Sequence, residues 1–151
     1  MSSITVRQAI LSDLDALVSL FDAYRQFYGR TSDVRAARAF LLARFDHGES
    51  ILFIAFENGM PVGFTQLYPG FSSISLARTF ILNDLYVDEH ARRKGVAAKL
   101  MSAAVDFARA LGAVRVSLST ATTNETAQAL YQSAGWKRDE QFLVYHINLS
   151  T

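Results

Sequence analysis

The chain has no cysteine and only two prolines among its 151 residues. Without cysteine there is no disulfide framework, no thiolate metal site and no cysteine nucleophile. No apolar run approaches the roughly 18 to 20 residues of a membrane span. The opening, Met1-Ser2-Ser3-Ile4, has no basic stretch leading into an apolar one, so a cytoplasmic location is expected. Charge of one sign is also lacking. Fifteen Lys and Arg stand against 14 Asp and Glu, a net charge of +1, which gives no electrostatic reason to expect nucleic acid or an anionic membrane as partner. The three histidines, His47, His90 and His146, have no ligand-spaced neighbours, and no metal site is expected. There is no repeat, low-complexity tract or linker rich in Pro, Gly or Ser, so residues 1–151 are expected to form a single domain.

What is present is apolar. Half of the residues are hydrophobic and 12% are aromatic, enough at this length for a well-filled core. Ile4 to Ile10 alternates as a strand, and Ser12-Asp13-Leu14-Asp15 then predicts a capped helix carrying Leu14, Leu17, Val18, Phe21 and Tyr24 up to Gly29. A second helix is predicted from Ser32, with Val34, Ala37, Leu41 and Phe45 as its stripe. The period then changes to that of strands. Ile51 to Glu57, Pro61 to Tyr68 and Ser75 to Val87 read as a meander, the first two joined at Asn58-Gly59. A helix from about Val96 to Leu111, a strand from Val114 to Ser119, and a short helix from Asn124 to Ala134 follow, the last opened by a capping box at Thr122-Thr123-Asn124-Glu125. Trp136 onward returns to strand, ending with Gln141 to Leu149. A strand, helix and strand in succession require a crossover, so the class is α+β: one mixed, mostly antiparallel sheet flanked by helices, with a central parallel pair.

The most informative stretch runs from Leu82 to Ala97, a strand passing through the basic turn Arg92-Arg93-Lys94-Gly95 into a helix N-terminus. The first N–H groups of a helix lack intrahelical partners and sit at the positive end of its dipole, which suits a phosphate. An ordinary solvated turn has the same composition, so the spacing alone leaves both readings open. Farther on, Asn124, Ala127 and Tyr131 share one helix face, with a small residue between two polar ones. Asn124 also suits a helix cap, and Tyr131 a core position.

Arg92-x-x-Gly95-x-Ala97 after Leu85-Tyr86-Val87 resembles the signature of the GNAT superfamily of N-acyltransferases, and Asn124-x-x-Ala127-x-x-x-Tyr131-x-x-x-Gly135-Trp136 resembles its second motif. The resemblance extends along the whole chain and is closest to small-amine and polyamine acetyltransferases. It implies a GNAT-like fold whose parallel strands splay apart, with acetyl-CoA as acyl donor. It further implies that Arg92, Arg93, Lys94, Gly95, Val96 and Ala97 hold the pyrophosphate and that main-chain groups of Leu85, Tyr86 and Val87 pair with the pantetheine arm. Asn124 would contact the cofactor, and Tyr131, near the thioester sulfur, would protonate the leaving thiolate.

Transfer to an amine raises a proton problem. An alkylamine of pKa about 10.4 is only about 0.04% neutral at pH 7, so a base or a water chain must take its proton. Related polyamine enzymes resemble this strand but carry Glu-Asp where Asn83-Asp84 stands here. Asp84 is then either the base or a carboxylate that orients substrate, and strand alternation sets it opposite Asn83 and on the side of Tyr86. The acceptor pocket is expected between the early helices and a hairpin loop Tyr68-Pro69-Gly70-Phe71-Ser72-Ser73. Tyr24, Tyr28, Tyr68, Phe71 and Asn83 would line it. Aromatic rings suit an ammonium, although a core or dimer surface accounts for them too. The expected activity is direct acetyl transfer to a small primary amine in a ternary complex. A non-catalytic acyl-CoA-binding or regulatory module on the same fold, or an acetyltransferase acting on protein or peptide amines, is the alternative. The last strand, with apolar residues on both faces, is expected to pair two protomers into a homodimer.

Overall fold

A computed structural model describes residues 3–150. It divides between Ser119 and Thr120 into two compact units. In the first, five strands lie side by side in chain order: β1 (Ile4–Gln8), β2 (Ile51–Glu57), β3 (Met60–Ser72), β4 (Ala77–Val87) and β5 (Arg115–Ser117). The pairs from β1 to β4 are antiparallel, while β5 runs parallel to β4. Helix α3 (Val96–Ala110) makes the crossover that a parallel pair needs. The class is the expected one, mixed α+β with a GNAT-like sheet.

Helices α1 (Leu14–Phe27) and α2 (Val34–His47) cover one face of this sheet, where Leu17, Val18, Phe21 and Leu41 join Leu52, Ile54 and Phe64 in a single apolar cluster. Helix α3 covers the other face, its Phe107 ring standing edge-on to Phe53 and Phe80 at 5.7 and 5.9 Å. Asn58 and Gly59, with φ of +51° and +82°, are the two left-handed residues that a tight hairpin between β2 and β3 requires.

Two expected boundaries move for physical reasons. Ser12 does not cap α1. Asp13 instead takes both arms of the Arg7 guanidinium at 2.7 and 2.8 Å and the Ile10 N–H at 2.8 Å, a charge-assisted fork that outweighs a hydroxyl cap. The segment expected as a loop, Tyr68 to Ser72, belongs to β3, with Tyr68 opposite Ile81 and Phe71 opposite Arg78. Pairing to β2 stops at Leu67, so past that point β3 has a partner on one side only, which is where a strand accommodates Pro69.

The second unit carries α4 (Glu125–Ser133), capped by Asn124, whose Oδ1 accepts the Ala127 N–H at 3.1 Å. The cap is thus Asn124 and not Thr122. The helix closes through Gly135 at φ +93°, with the Trp136 N–H on the Tyr131 carbonyl at 3.0 Å. Beyond it the sequence reading fails, because none of residues 137–150 is in a strand. Phe142, Leu143, Val144, Tyr145, Ile147 and Leu149 are all exposed. Alternation tells which face of a strand would be buried, but a strand exists only where another one completes its ladder, and that partner is not encoded locally.

Asp22 ties α1 to the start of α2. Its carboxylate is buried and accepts from the Ser32 hydroxyl at 2.7 Å, the Asp33 N–H at 2.8 Å and the Gln26 amide at 3.1 Å. The Ser32 hydroxyl first, then the Asp33 N–H, hold it below the usual carboxylate range. A carboxylate whose folded pKa is depressed stabilises the fold above its unfolded value and loses that contribution as pH falls through the folded one. Asp22→Ala should therefore cost about 1–3 kcal/mol in urea unfolding at pH 7. The deficit should begin to shrink below about pH 4, where the unfolded chain's Asp22 takes up its proton, and should be gone only once pH has also fallen through the lower folded value. A pH-independent deficit would show that the carboxylate's charge contributes nothing.

Candidate active site

One irregularity in β4 organises the polar groups. Gln66 faces Asp84 and Leu67 faces Leu82, so Asn83 is an extra residue without a partner on β3, a β-bulge. The bulge reverses the facing of the strand. Phe80 and Leu82 are buried, Phe80 against α3, whereas Asp84 and Tyr86 turn toward α1, where the Tyr24 ring lies 6.2 Å from that of Tyr86. Strict alternation would oppose Asn83 to Asp84. With the bulge between them, the Asn83 Nδ2 donates to Asp84 Oδ1 at 3.1 Å.

Asp84 is 5% exposed and collects further donors. The Gln66 Nε2 reaches its Oδ2 at 2.8 Å, and the Tyr24 hydroxyl donates to the same carboxylate. Burial, then the nearby Asp84 charge, pushes the Tyr24 phenol well above its ordinary range and that of Tyr68 up to about 12. Both hydroxyls therefore stay protonated near neutral pH. They are donors and not bases. The structure thus brings Tyr24, Tyr68, Asn83 and Asp84 together, with Tyr28 packed edge-on to Tyr24 at 5.1 Å. Phe71 does not join them. Alternation along β3 sets it on the face opposite Tyr68, and its ring, 74% exposed, packs under the Arg78 guanidinium at 5.3 Å.

Beside this cluster, β4 has an open edge. Its ladder to β5 covers only Thr79 to Ile81, so Leu85, Tyr86 and Val87 pair with β3 alone. The chain then turns through Arg93 and Gly95, at φ +64° and +79°, into α3. No side chain caps that helix start, which leaves its first N–H groups for a ligand. A Cβ on Gly95 would meet no protein atom within 4 Å, so the space in front of the turn is open. The cations are partly committed. Lys94 Nζ lies 2.8 Å from Glu57 Oε2, and the Arg92 Nε donates to the Val87 carbonyl at 2.9 Å, its guanidinium over the Phe27 and Tyr86 rings. Val96 is buried and Ala97 half-buried at the root of the helix. The turn offers main-chain donors and Gly95 more than three free cations. In the second unit, Tyr131 is half-buried with its ring 6.4 Å from Trp136, and Asn124 commits its Oδ1 to the α4 cap.

Two residues escaped the sequence reading. Gln66 is fully buried and grips Asp84. Gly63 packs so closely that an added Cβ would sit 2.8 Å from the Tyr86 carbonyl oxygen, so it lets β3 lie tight against the open stretch of β4. A signal for Gln66 existed in the pair Thr65-Gln66 interrupting an apolar run, because a central strand buries polar side chains only when they have partners. Among the described residues no group of three or more His, Asp or Glu side chains is placed to hold a metal ion.

Known proteins share this sequence and fold. Residues 15–136 match the family model described as the acetyltransferase (GNAT) family. The chain is 48% identical over 144 residues to YhfO, an uncharacterized N-acetyltransferase of Bacillus subtilis, covering 95% of this chain and 97% of that one. It is 36% identical to a probable acetyltransferase of Haemophilus influenzae, over 91% of this chain and 93% of the relative. Among solved structures, a probable acetyltransferase superposes with a TM-score of 0.93 at 44% identity, covering 97% of this chain and 99% of the other. An aminoglycoside acetyltransferase from a soil metagenome shares the fold at a TM-score of 0.84 and 19% identity. With both motifs inside the matched span, the chain belongs to the acetyltransferase (GNAT) family and is an acetyltransferase.

Proposed function

We propose that the enzyme transfers the acetyl group of acetyl-CoA directly to a primary amine of a small molecule, both substrates being bound at once. The observation that carries this reading is the buried Asp84, held by Asn83, Gln66 and Tyr24 beside a stretch of β4 that is paired on one edge only. A carboxylate ringed by tyrosines suits an ammonium, and an open strand edge leading to an uncapped helix start suits the extended arm and pyrophosphate of the donor. The main chain of Leu85, Tyr86 and Val87 is assigned the arm. Gly95, Val96 and Ala97 are assigned the pyrophosphate through their N–H groups, with Arg92, Arg93 and Lys94 adding charge and Asn124 a further donor contact.

In the reaction the acceptor ammonium gives a proton to Asp84 directly or through water, and the neutral nitrogen attacks the thioester carbonyl. The new C–N bond forms and the C–S bond breaks; the departing thiolate takes the proton of the hydroxyl that the second motif assigns to this role, Tyr131, and the second proton lost by nitrogen as the amide forms restores that phenol through water. A covalent acyl-enzyme is not invoked, since the chain has no cysteine. Tyr24, Tyr28 and Tyr68 surround the acceptor. Phe71 is left out of the acceptor site.

Assembly belongs to the same reading. The exposed apolar residues from Phe142 to Leu149 need a cover in water, and a second copy of the chain is the proposed one.

Gly95→Val should raise the acetyl-CoA Kd by on the order of 10- to 100-fold in calorimetry while circular dichroism stays unchanged, because valine fills the open space and is strained at positive φ. Unchanged affinity in the folded variant removes the turn from the site. Asp84→Asn keeps shape and loses the charge, so CoA release with an amine panel should fall about 10²- to 10⁴-fold in kcat/KM. Wild-type turnover would shift the proton to water alone. Light scattering should give about twice the 16.8 kDa chain mass, and a mass of one chain at high concentration would end the dimer reading.

A further inference from the structure

Gln66 carries more than a grip on Asp84. A glutamine amide has two N–H donors and one acceptor oxygen, and a carboxylate only accepts, so the Nε2 side must face Asp84, where it sits at 2.8 Å. That orientation commits the other end of the amide. The Gln66 Oε1 is buried, in a residue with no exposure, and has no hydrogen-bond donor among the described residues. A buried acceptor left unpaired costs about 1–3 kcal/mol, a cost that an apolar side chain of the same shape would avoid.

Asp84 has a matching deficit. Its described partners are the amide nitrogens of Gln66 and Asn83 and the hydroxyl of Tyr24, all neutral, and no Lys, Arg or His is paired with it. A buried carboxylate is ordinarily matched by a cation. Thus one small region wants a positive charge for Asp84 and an N–H for the Gln66 oxygen. A primary ammonium supplies both, having three N–H groups and one charge.

We infer that Gln66 is a specificity-determining residue of the acceptor site, its Oε1 accepting one N–H of the primary ammonium whose charge Asp84 receives. The inference rests on the proposed amine acetyltransferase reading and narrows it. Each methyl group added to the nitrogen removes one N–H, and meeting both Asp84 and the Gln66 oxygen takes two, so a primary ammonium has one to spare and an N,N-dimethylated one falls short. Gln66 selects primary over N,N-dimethylated ammonium groups, whereas tyrosine rings alone would accept either.

The test uses the full chain and a panel of butylamine, 1,4-diaminobutane and glycinamide, each beside the counterpart with every amine N,N-dimethylated, which cannot be acetylated and is read as a competitive inhibitor. In wild type the KM of the primary amine should lie about 10-fold or more below the Ki of its dimethylated counterpart. Gln66→Met, close in shape but without either polar atom, should raise the amine KM by about 10- to 100-fold and bring the ratio of that Ki to the KM near one. The acetyl-CoA Kd measured by calorimetry should stay unchanged. Gln66→Asn, which adds no bulk and cannot span the same distance, serves as the second variant where Gln66→Met does not fold, with the same expected loss of selectivity. An unchanged selectivity ratio and amine KM in a folded variant, with only its melting temperature altered, would make Gln66 a structural residue whose oxygen is met by buried water. That outcome overturns the inference and leaves the activity standing. Wild-type protein that binds acetyl-CoA and acetylates no member of the panel overturns the underlying reading as well.

Discussion

One extra residue in β4 sets the facing of the buried polar cluster on which the rest of the sheet depends. Were Asn83 paired in a regular ladder, alternation would place Phe80, Leu82, Asp84 and Tyr86 on one face, and Asp84 would enter the apolar layer under α3. The bulge breaks that sequence after Leu82. Phe80 and Leu82 fill the core on one side of the sheet, while Asp84 and Tyr86 turn to the other, toward Tyr24 and Phe64. An ionisable group can be kept 5% exposed there only because β3 answers it with Gln66 directly across the ladder.

The same strand carries two further constraints. Its pairing to β5 lasts three residues, from Thr79 to Ile81, so that the part nearest Asp84 is free along one edge. Exposed strand edges invite pairing by other extended chains, which is a liability in most sheets and an asset where an extended ligand must be bound. Gly63 keeps β3 close against this stretch, since any Cβ there would collide with the Tyr86 carbonyl. The left-handed turn at Arg93 and Gly95 then delivers an uncapped helix start next in the chain. Lys94 and Arg92 pin that turn to Glu57 and to the Val87 carbonyl. Two of the three cations thus shape the turn as well as charging it.

The core that supports these features is aromatic and shared between layers. The Phe64 ring meets Phe21, Tyr24 and Tyr86 at 6.0, 5.6 and 6.5 Å, so α1, β3 and β4 are locked at the point where the polar cluster begins. Tyr24 belongs to both regions, its ring in the apolar cluster and its hydroxyl on Asp84. Of the aromatic residues read from the sequence as either core or substrate-lining, Tyr24 is core by its ring and part of the polar cluster by its hydroxyl, which an amphipathic side chain allows.

Much of this was legible from the residues alone. Period and caps placed α1, α2, α3 and β2 within a few residues, and the Asn58-Gly59 hairpin and the crossover to a parallel strand followed from turn chemistry and connection length. The two motifs pointed to the family before any coordinates did, because Gly95 and the small residues near it are dictated by local backbone needs. Long-range partners were not legible. The bulge at Asn83 depends on how β3 and β4 fit their whole lengths together, and no period within β4 announces it. Gln66 became important only when the ladder set it opposite Asp84. Phe71 stands apart from the Asp84 cluster because β3 continues past its neighbour β2 and keeps alternating. The segment from Gln141 to Leu149 shows the limit most plainly, since its alternation satisfies every local rule for a strand while no ladder forms within it. Local sequence determined which elements form and which chemistry they carry. Tertiary structure decided facing and pairing, because those depend on hydrogen-bond partners contributed by residues far away in the chain.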